Sequence, residues 1–217
     1  MTRTRVKFCG FTRSQDVQVA VQSGADALGF VLYDKSPRYV APEHVAVLAR
    51  DVPAFISTVG LFVNSSEDDI RAVLRHAPIQ NVQLHGDETW DFAVQLQYSL
   101  QRPVIKAVRV NAQTDWAEVA AHMDAVSGVL LDADSVGYGG SGHAFDWAVI
   151  PANVRSKVIL SGGLQVATLA QAIREVQPYA LDVSSGIEAG VKGVKDMEKM
   201  NAFMQAVRIA DAERWRA

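Results

Sequence analysis

The chain has a single cysteine, Cys9, which ends the apolar run RVKFC and is followed at once by Gly10. A lone thiol is either a small buried hydrophobe chosen for packing or a reactive group. Other polar residues occupy equivalent places: His85 follows NVQL, Asp132 follows VLL, and Asp182 lies in YALDV, which runs into Ser184 and Ser185. Each alone has a structural explanation, since a histidine at a strand end is often hydrogen-bonded scaffold and an aspartate there often caps a turn. Brought to one rim, four titratable side chains suit proton transfer. Glycines add a second signal. GGSG at Gly139 to Gly142, SGG at Ser161 to Gly163 and SSG at Ser184 to Gly186 all follow apolar runs. Small residues there would let backbone N–H groups approach an anion such as phosphate. The candidate phosphate-binding residues are Gly140, Ser141, Gly142, Gly162, Gly163, Ser184, Ser185 and Gly186.

The elements that must position these residues are legible as alternating patterns. Strand-like runs are expected at Arg5 to Cys9, Ala27 to Leu32, Phe55 to Val63, Asn81 to Leu84, Val104 to Val108, Val129 to Leu131, Lys157 to Leu160 and Tyr179 to Val183. Helical patterns lie between them. Val17, Ala20 and Val21 fit an amphipathic helix opened by a capping box of Thr12 and Gln15 and stopped by Gly24. Pro42 suits a first helical turn. Ile70, Val73, Leu74 and Ala77 recur behind Ser66 and three acids, before Pro78. Trp116, Val119, Ala120 and Met123 form a further apolar face, as do Leu169, Ala172, Ile173 and Val176 before Pro178.

Eight strands joined through helices predict a parallel sheet, because each parallel crossover needs a returning helix. An open doubly wound sheet usually has fewer strands, and its dinucleotide-binding form carries G-x-G-x-x-G where this chain has CGFT. Eight units in 217 residues fit a closed (β/α)8 TIM barrel instead, expected as one catalytic domain over residues 1–217. In such a barrel the loops after the strands share one face, so the candidate residues above converge there. With 49% hydrophobic and 21% charged residues and a formal net charge of -3, the composition is that of an ordinary globular chain with no basic surplus for nucleic acid. The first residues show no apolar signal region, and no run approaches the roughly 18 apolar residues of a membrane helix. One cysteine can form neither an internal disulfide nor a cysteine-rich zinc site, which favours a cytoplasmic protein.

The motifs KFCGFT (Lys7 to Thr12), SPRYV (Ser36 to Val40), VQLHG (Val82 to Gly86), LLD (Leu130 to Asp132), GGSG with FDW (Phe145 to Trp147), LSGGL (Leu160 to Leu164) and DVSSGIE (Asp182 to Glu188) together resemble the phosphoribosylanthranilate isomerase family of tryptophan biosynthesis. The resemblance runs from the first strand to the eighth. It implies a (β/α)8 barrel that performs an Amadori rearrangement of N-(5-phosphoribosyl)anthranilate without cofactor or metal, as a monomer or homodimer. It further implies Cys9 as general base and Asp132 as general acid, Arg38 at the anthranilate carboxylate, and His85 and Asp182 at substrate hydroxyl or amine groups. After GGSG the family often has lysine where this chain has His143. Lys7, two residues before Cys9 on the same strand face, either points inward to pair with Asp182 or leaves through the barrel bottom. The same residues leave two other readings: a sugar-phosphate isomerase of histidine biosynthesis, which would resemble a pair-of-aspartates design, and a catalytically silent phosphate-binding barrel.

Overall fold

The computed structural model describes residues 3–133 and 145–214. Its elements run β1 (Arg5–Cys9), α1 (Ser14–Ser23), β2 (Ala27–Val31), α2 (Pro42–Leu48), β3 (Ser57–Phe62), α3 (Glu67–Leu74), β4 (Asn81–Leu84) and α4 (Trp90–Leu100). They continue with β5 (Val104–Val110), α5 (Trp116–His122), β6 (Gly128–Ala133), α6 (Ala152–Arg155), β7 (Val158–Leu160), α7 (Val166–Val176), β8 (Ala180–Val183) and α8 (Met197–Arg214). The strands close into a parallel barrel in sequence order, with β8 pairing back onto β1. This is the (β/α)8 fold expected from the alternation. The helices start where local chemistry directs: Pro42 opens α2, the Ser66 hydroxyl accepts from the Asp69 N–H at α3, and α7 ends one residue before the left-handed Gln177 that precedes Pro178.

One start differs. The N-cap of α1 is Arg13, without a side-chain cap, because the Thr12 hydroxyl donates instead to the Gly193 carbonyl at 2.6 Å and ties β1 to the loop before α8. The strand expected from Phe55 begins at Ser57, since the Phe55 side chain is fully exposed.

Apolar residues occupy two layers. The larger cluster fills the space between barrel and helices, with Phe8, Phe30, Phe62, Leu84 and Leu131 pointing outward from the strands. A smaller cluster of Val59, Ile105, Ala107, Leu130, Ile159 and Ala180 plugs the barrel interior. Laterally paired residues share a sheet face, and faces alternate along each strand. The register therefore assigns the interior face unambiguously: Cys9 lies opposite Gly29, Lys7 opposite Asp182, Gln83 opposite Ile105, and Arg109 opposite Asp132. Asp132 stands two residues beyond Leu130 and Asp182 two beyond Ala180, so both sit one layer above the apolar plug, at the C-terminal rim. None of the described helices is long and apolar enough to cross a membrane.

Candidate active site

At that rim a pocket is lined by Cys9, Arg38, His85, Asp132 and Asp182 together with Gly162, Gly163, Ser184 and Ser185. Residues from six separate strands and their following loops meet there, as the barrel reading requires. Gly140, Ser141, Gly142 and His143 lie outside the described residues.

Cys9 ends β1 and is buried, its Sγ directed at β2, where Gly29 leaves room for it. A Cβ placed on Gly29 would lie 2.6 Å from Cys9 Sγ and 3.1 Å from Lys7 Cε. Any other residue at Gly29 would displace the thiol. Lys7 points inward, its Nζ donating to Asp182 Oδ1 at 2.8 Å, with both side chains buried. Of the two orientations left open by the sequence, the structure has the paired one. Burial opposes the charged form of Lys7, but Asp182 and the neighbouring Cys9 hold its pKa above the ordinary value. Burial pushes the Cys9 thiol up; the Lys7 ammonium and, more weakly, that of Lys195 oppose it, and Asp182 reinforces it. The thiol is thus harder to ionise than a free one, in spite of two cations. Removing one of them should raise the barrier further. In Lys195→Met the pH at which iodoacetamide alkylates Cys9 at half its maximal rate should move upward from that of the parent; an unmoved midpoint would show that ammonium and thiol are not coupled.

Asp132, at the end of β6, accepts from its neighbour Ala133 N–H through Oδ1 at 3.0 Å, and its Oδ2 lies 3.1 Å from His85 Nε2. His85 Nδ1 in turn lies 2.9 Å from the Gln83 amide nitrogen. Both imidazole nitrogens are therefore spent on protein partners. The ring is held between β4 and β6, where it helps to line the pocket.

Arg38 lies in the loop after β2 and is buried, with Nε and Nη2 forking onto Glu188 Oε1 and Oε2 at 2.7 and 2.9 Å. Glu188 also accepts from the Gly193 N–H at 2.9 Å and from Lys195 Nζ at 3.2 Å. Against burial, which would raise it, the Arg38 hydrogen bonds and the Lys195 charge hold the Glu188 carboxyl below its ordinary pKa. Burial, partly offset by Glu188, holds Lys195 below its own ordinary value. The Nε edge of Arg38 is thus committed within the protein, because a buried guanidinium requires a compensating anion. Any grip on a substrate carboxylate must use the remaining Nη1 side. Glu188 and Lys195 were not singled out by the sequence reading, although Glu188 closes the DVSSGIE motif; Gly29 and Gln83 were missed as well.

Two of the three glycine loops lie within the described residues, after β7 and after β8. Gly162 has φ +84, and a Cβ there would lie 2.5 Å from the Ala133 amide nitrogen, so only glycine fits this turn after β7. Ser184 and Ser185 follow β8, and Gly186 lies in the short 3-10 turn Ser185–Ile187, packed toward the Leu164 carbonyl. Among the described residues, the backbone N–H groups of Gly163, Ser185 and Gly186 have no protein acceptor. Two loops side by side thus present free donors at one end of the pocket.

Closed parallel barrel, acid–base side chains on the C-terminal rim and anion-ready loops after β7 and β8 define a (β/α)8-barrel enzyme. A family model described as N-(5'phosphoribosyl)anthranilate (PRA) isomerase matches residues 6–206. The chain belongs to that family. Relatives named N-(5'-phosphoribosyl)anthranilate isomerase include those of Herminiimonas arsenicoxydans, 46% identical with 97% of this chain and 95% of the relative covered, and Dechloromonas aromatica, 48% identical with 96% and 98% covered. Among solved structures, phosphoribosyl anthranilate isomerase from Thermotoga maritima superposes with a TM-score of 0.85 at 38% identity, covering 94% of this chain and 98% of that one. Another, in complex with reduced 1-(o-carboxyphenylamino)-1-deoxyribulose 5-phosphate, superposes with a TM-score of 0.81 at 36% identity over 94% and 98% of the two chains.

Proposed function

We infer that this chain catalyses the Amadori rearrangement of N-(5-phosphoribosyl)anthranilate to 1-(2-carboxyphenylamino)-1-deoxyribulose 5-phosphate, the isomerase step of tryptophan biosynthesis. The reaction moves a hydrogen from C2 of the ribosyl unit while C1 becomes an aminomethylene carbon. An acid protonates the furanose oxygen as the ring opens to an iminium ion; a base then removes the C2 proton, and the enolamine settles to the ketone. Cys9 is the base and Asp132 the acid. The observation that carries this assignment is that both open on one pocket that the loops of Gly163 and Ser185 also line.

The thiol need not be ionised in the empty site. The thiol gives its proton to solvent as substrate binds, and the cationic iminium that ring opening creates beside Cys9 favours the thiolate in a buried pocket. Lys7 and Lys195 act in the same direction, with Lys7 held in place by Asp182. Gly162, Gly163, Ser184, Ser185 and Gly186 receive the 5'-phosphate on backbone and hydroxyl donors, together with Gly140, Ser141 and Gly142. Arg38 meets the anthranilate carboxylate through its Nη1 side. Asp182 orients substrate hydroxyl groups through the oxygen it does not share with Lys7. A reduced, cytoplasmic setting goes with a mechanism that needs a free thiol, and the protein works as a monomer or homodimer.

Purified protein should turn over N-(5-phosphoribosyl)anthranilate at a rate that the phosphoribosyl aminoaldose of histidine biosynthesis does not match. Turnover of the histidine-pathway substrate alone would overturn the assignment.

A further inference from the structure

Gln83 is fully buried on the interior face of β4, level with Leu61 on β3 and Ile105 on β5, neither of which can hydrogen-bond a side chain. Its Nε2 lies 2.9 Å from His85 Nδ1, and its Oε1 is buried with no hydrogen-bond partner. An amide nitrogen has no lone pair to offer, so with Nε2 on this side it donates, and Nδ1 is then the nitrogen that carries no proton. The remaining ring proton then sits on Nε2, which donates to Asp132 Oδ2 at 3.1 Å. An unsatisfied carbonyl in a buried amide is a cost that calls for a reason.

We propose that Gln83 is a positioning residue for the acid: by fixing the Nε2–H tautomer of His85, it keeps the transferable proton of Asp132 on Oδ1. This rests on the reading of Asp132 as general acid. With His85 in this tautomer, a proton on Oδ2 would face another N–H, and the acidic hydrogen is excluded from that oxygen. Oδ1 accepts from the Ala133 N–H at 3.0 Å and lies 3.1 Å from the point where a Gly162 Cβ would be, and Asp132 and Gly162 both line the pocket. The proton therefore travels from Oδ1 to the substrate oxygen, and none leaves His85. The carboxylate that remains keeps two N–H donors, His85 Nε2 on Oδ2 and Ala133 on Oδ1. In the other tautomer a bare Nε2 would draw the Asp132 proton onto Oδ2 and point it at the imidazole, away from substrate.

The test reads the tautomer and the rate together. In the full-length protein labelled with 15N-histidine, His85 should show a protonated Nε2 and an unprotonated Nδ1 at neutral pH. Gln83→Glu replaces the donor with an acceptor of the same shape and should transfer a proton to Nδ1. The kcat should fall by roughly 10- to 100-fold, the range found where an outer partner orienting a histidine is lost, with KM close to the parent value. Gln83→Met, which suits a buried site, should also lower kcat by leaving the tautomer unspecified, and serves if the glutamate variant does not fold. A parent His85 protonated on Nδ1, or folded Gln83 variants with parental kcat, would overturn the proposal. Asp132→Asn measured alongside separates the two levels: its inactivity beside unimpaired Gln83 variants would remove only the role of Gln83, whereas its full activity would remove the acid on which that role depends.

Discussion

Cys9→Ser should fold as the parent does and lose at least about 100-fold in kcat, the lower range for a positioned general base. Serine fits the space that Gly29 leaves, so the thermal midpoint should stay near that of the parent. Its hydroxyl is far harder to ionise than a thiol, and the pocket makes ionisation harder still: burial already pushes Cys9 itself upward against the pull of Lys7 and Lys195. Neither the two lysines nor an iminium ion would generate a useful alkoxide. Steady-state rates with a melting curve on the same sample check this, and parental kcat in a folded Cys9→Ser protein would return the residue to a packing role. The same property gives the sign of the pH dependence. A base with a raised pKa is inactive when protonated, so alkylation of Cys9 in the empty enzyme should rise with pH to a midpoint above the ordinary thiol value.

Asp132→Asn should bring a loss of comparable size, about 100-fold or more in kcat. Asparagine keeps the outline of the side chain and can still accept from the Ala133 N–H through its carbonyl oxygen, but it carries no proton acidic enough to open the furanose ring. Its NH2 group would also face the His85 Nε2–H, donor against donor, unless the imidazole changes tautomer. Because acid and base serve one rearrangement, the double variant should be less impaired than the product of the two single losses. Single and double variants assayed together give that comparison; strictly multiplicative effects would mean that the two residues act in unrelated steps.

Much of this architecture was legible from the chain alone, because periodicity and chain punctuation are local. Eight apolar runs with helical patterns between them led to the barrel, and the barrel turned the ends of those runs into one rim. Boundaries moved where side chains met a particular environment: β3 loses Phe55 to solvent, and β5 extends to Val110 because Arg109 pairs with Asp132 across the sheet. The false capping box at Thr12 has the same origin, since nothing near residue 12 reveals that its hydroxyl is claimed by Gly193 on the other side of the chain. The site shows the division most clearly. Cys9, His85, Asp132 and Asp182 follow from position at strand ends, whereas the Arg38–Glu188 pair spans residues 150 apart in sequence, and the Lys195 contacts arise only once the loop before α8 folds back over the rim. Gln83 and Gly29 did leave a signal. Counting by twos back from His85 places Gln83 on the interior face, where a polar residue below the rim asks for a partner, and a glycine inside a strand suggests close approach by a neighbour.

The division of labour between Cys9 and Asp132 is tested most directly by a substrate carrying deuterium at C2 of the ribosyl unit, compared with its protiated form in the parent, Cys9→Ser and Asp132→Asn enzymes. In the proposed mechanism Cys9 breaks the C2–H bond, so its replacement should make that cleavage limiting and enlarge the isotope effect on kcat above the parental value. In the same proposal Asp132 opens the ring before the bond is broken, so its replacement should make ring opening limiting and suppress the effect toward unity. An isotope effect that grows in Asp132→Asn and vanishes in Cys9→Ser would reverse the two roles, and one unchanged in both variants would contradict the assignment of base and acid altogether.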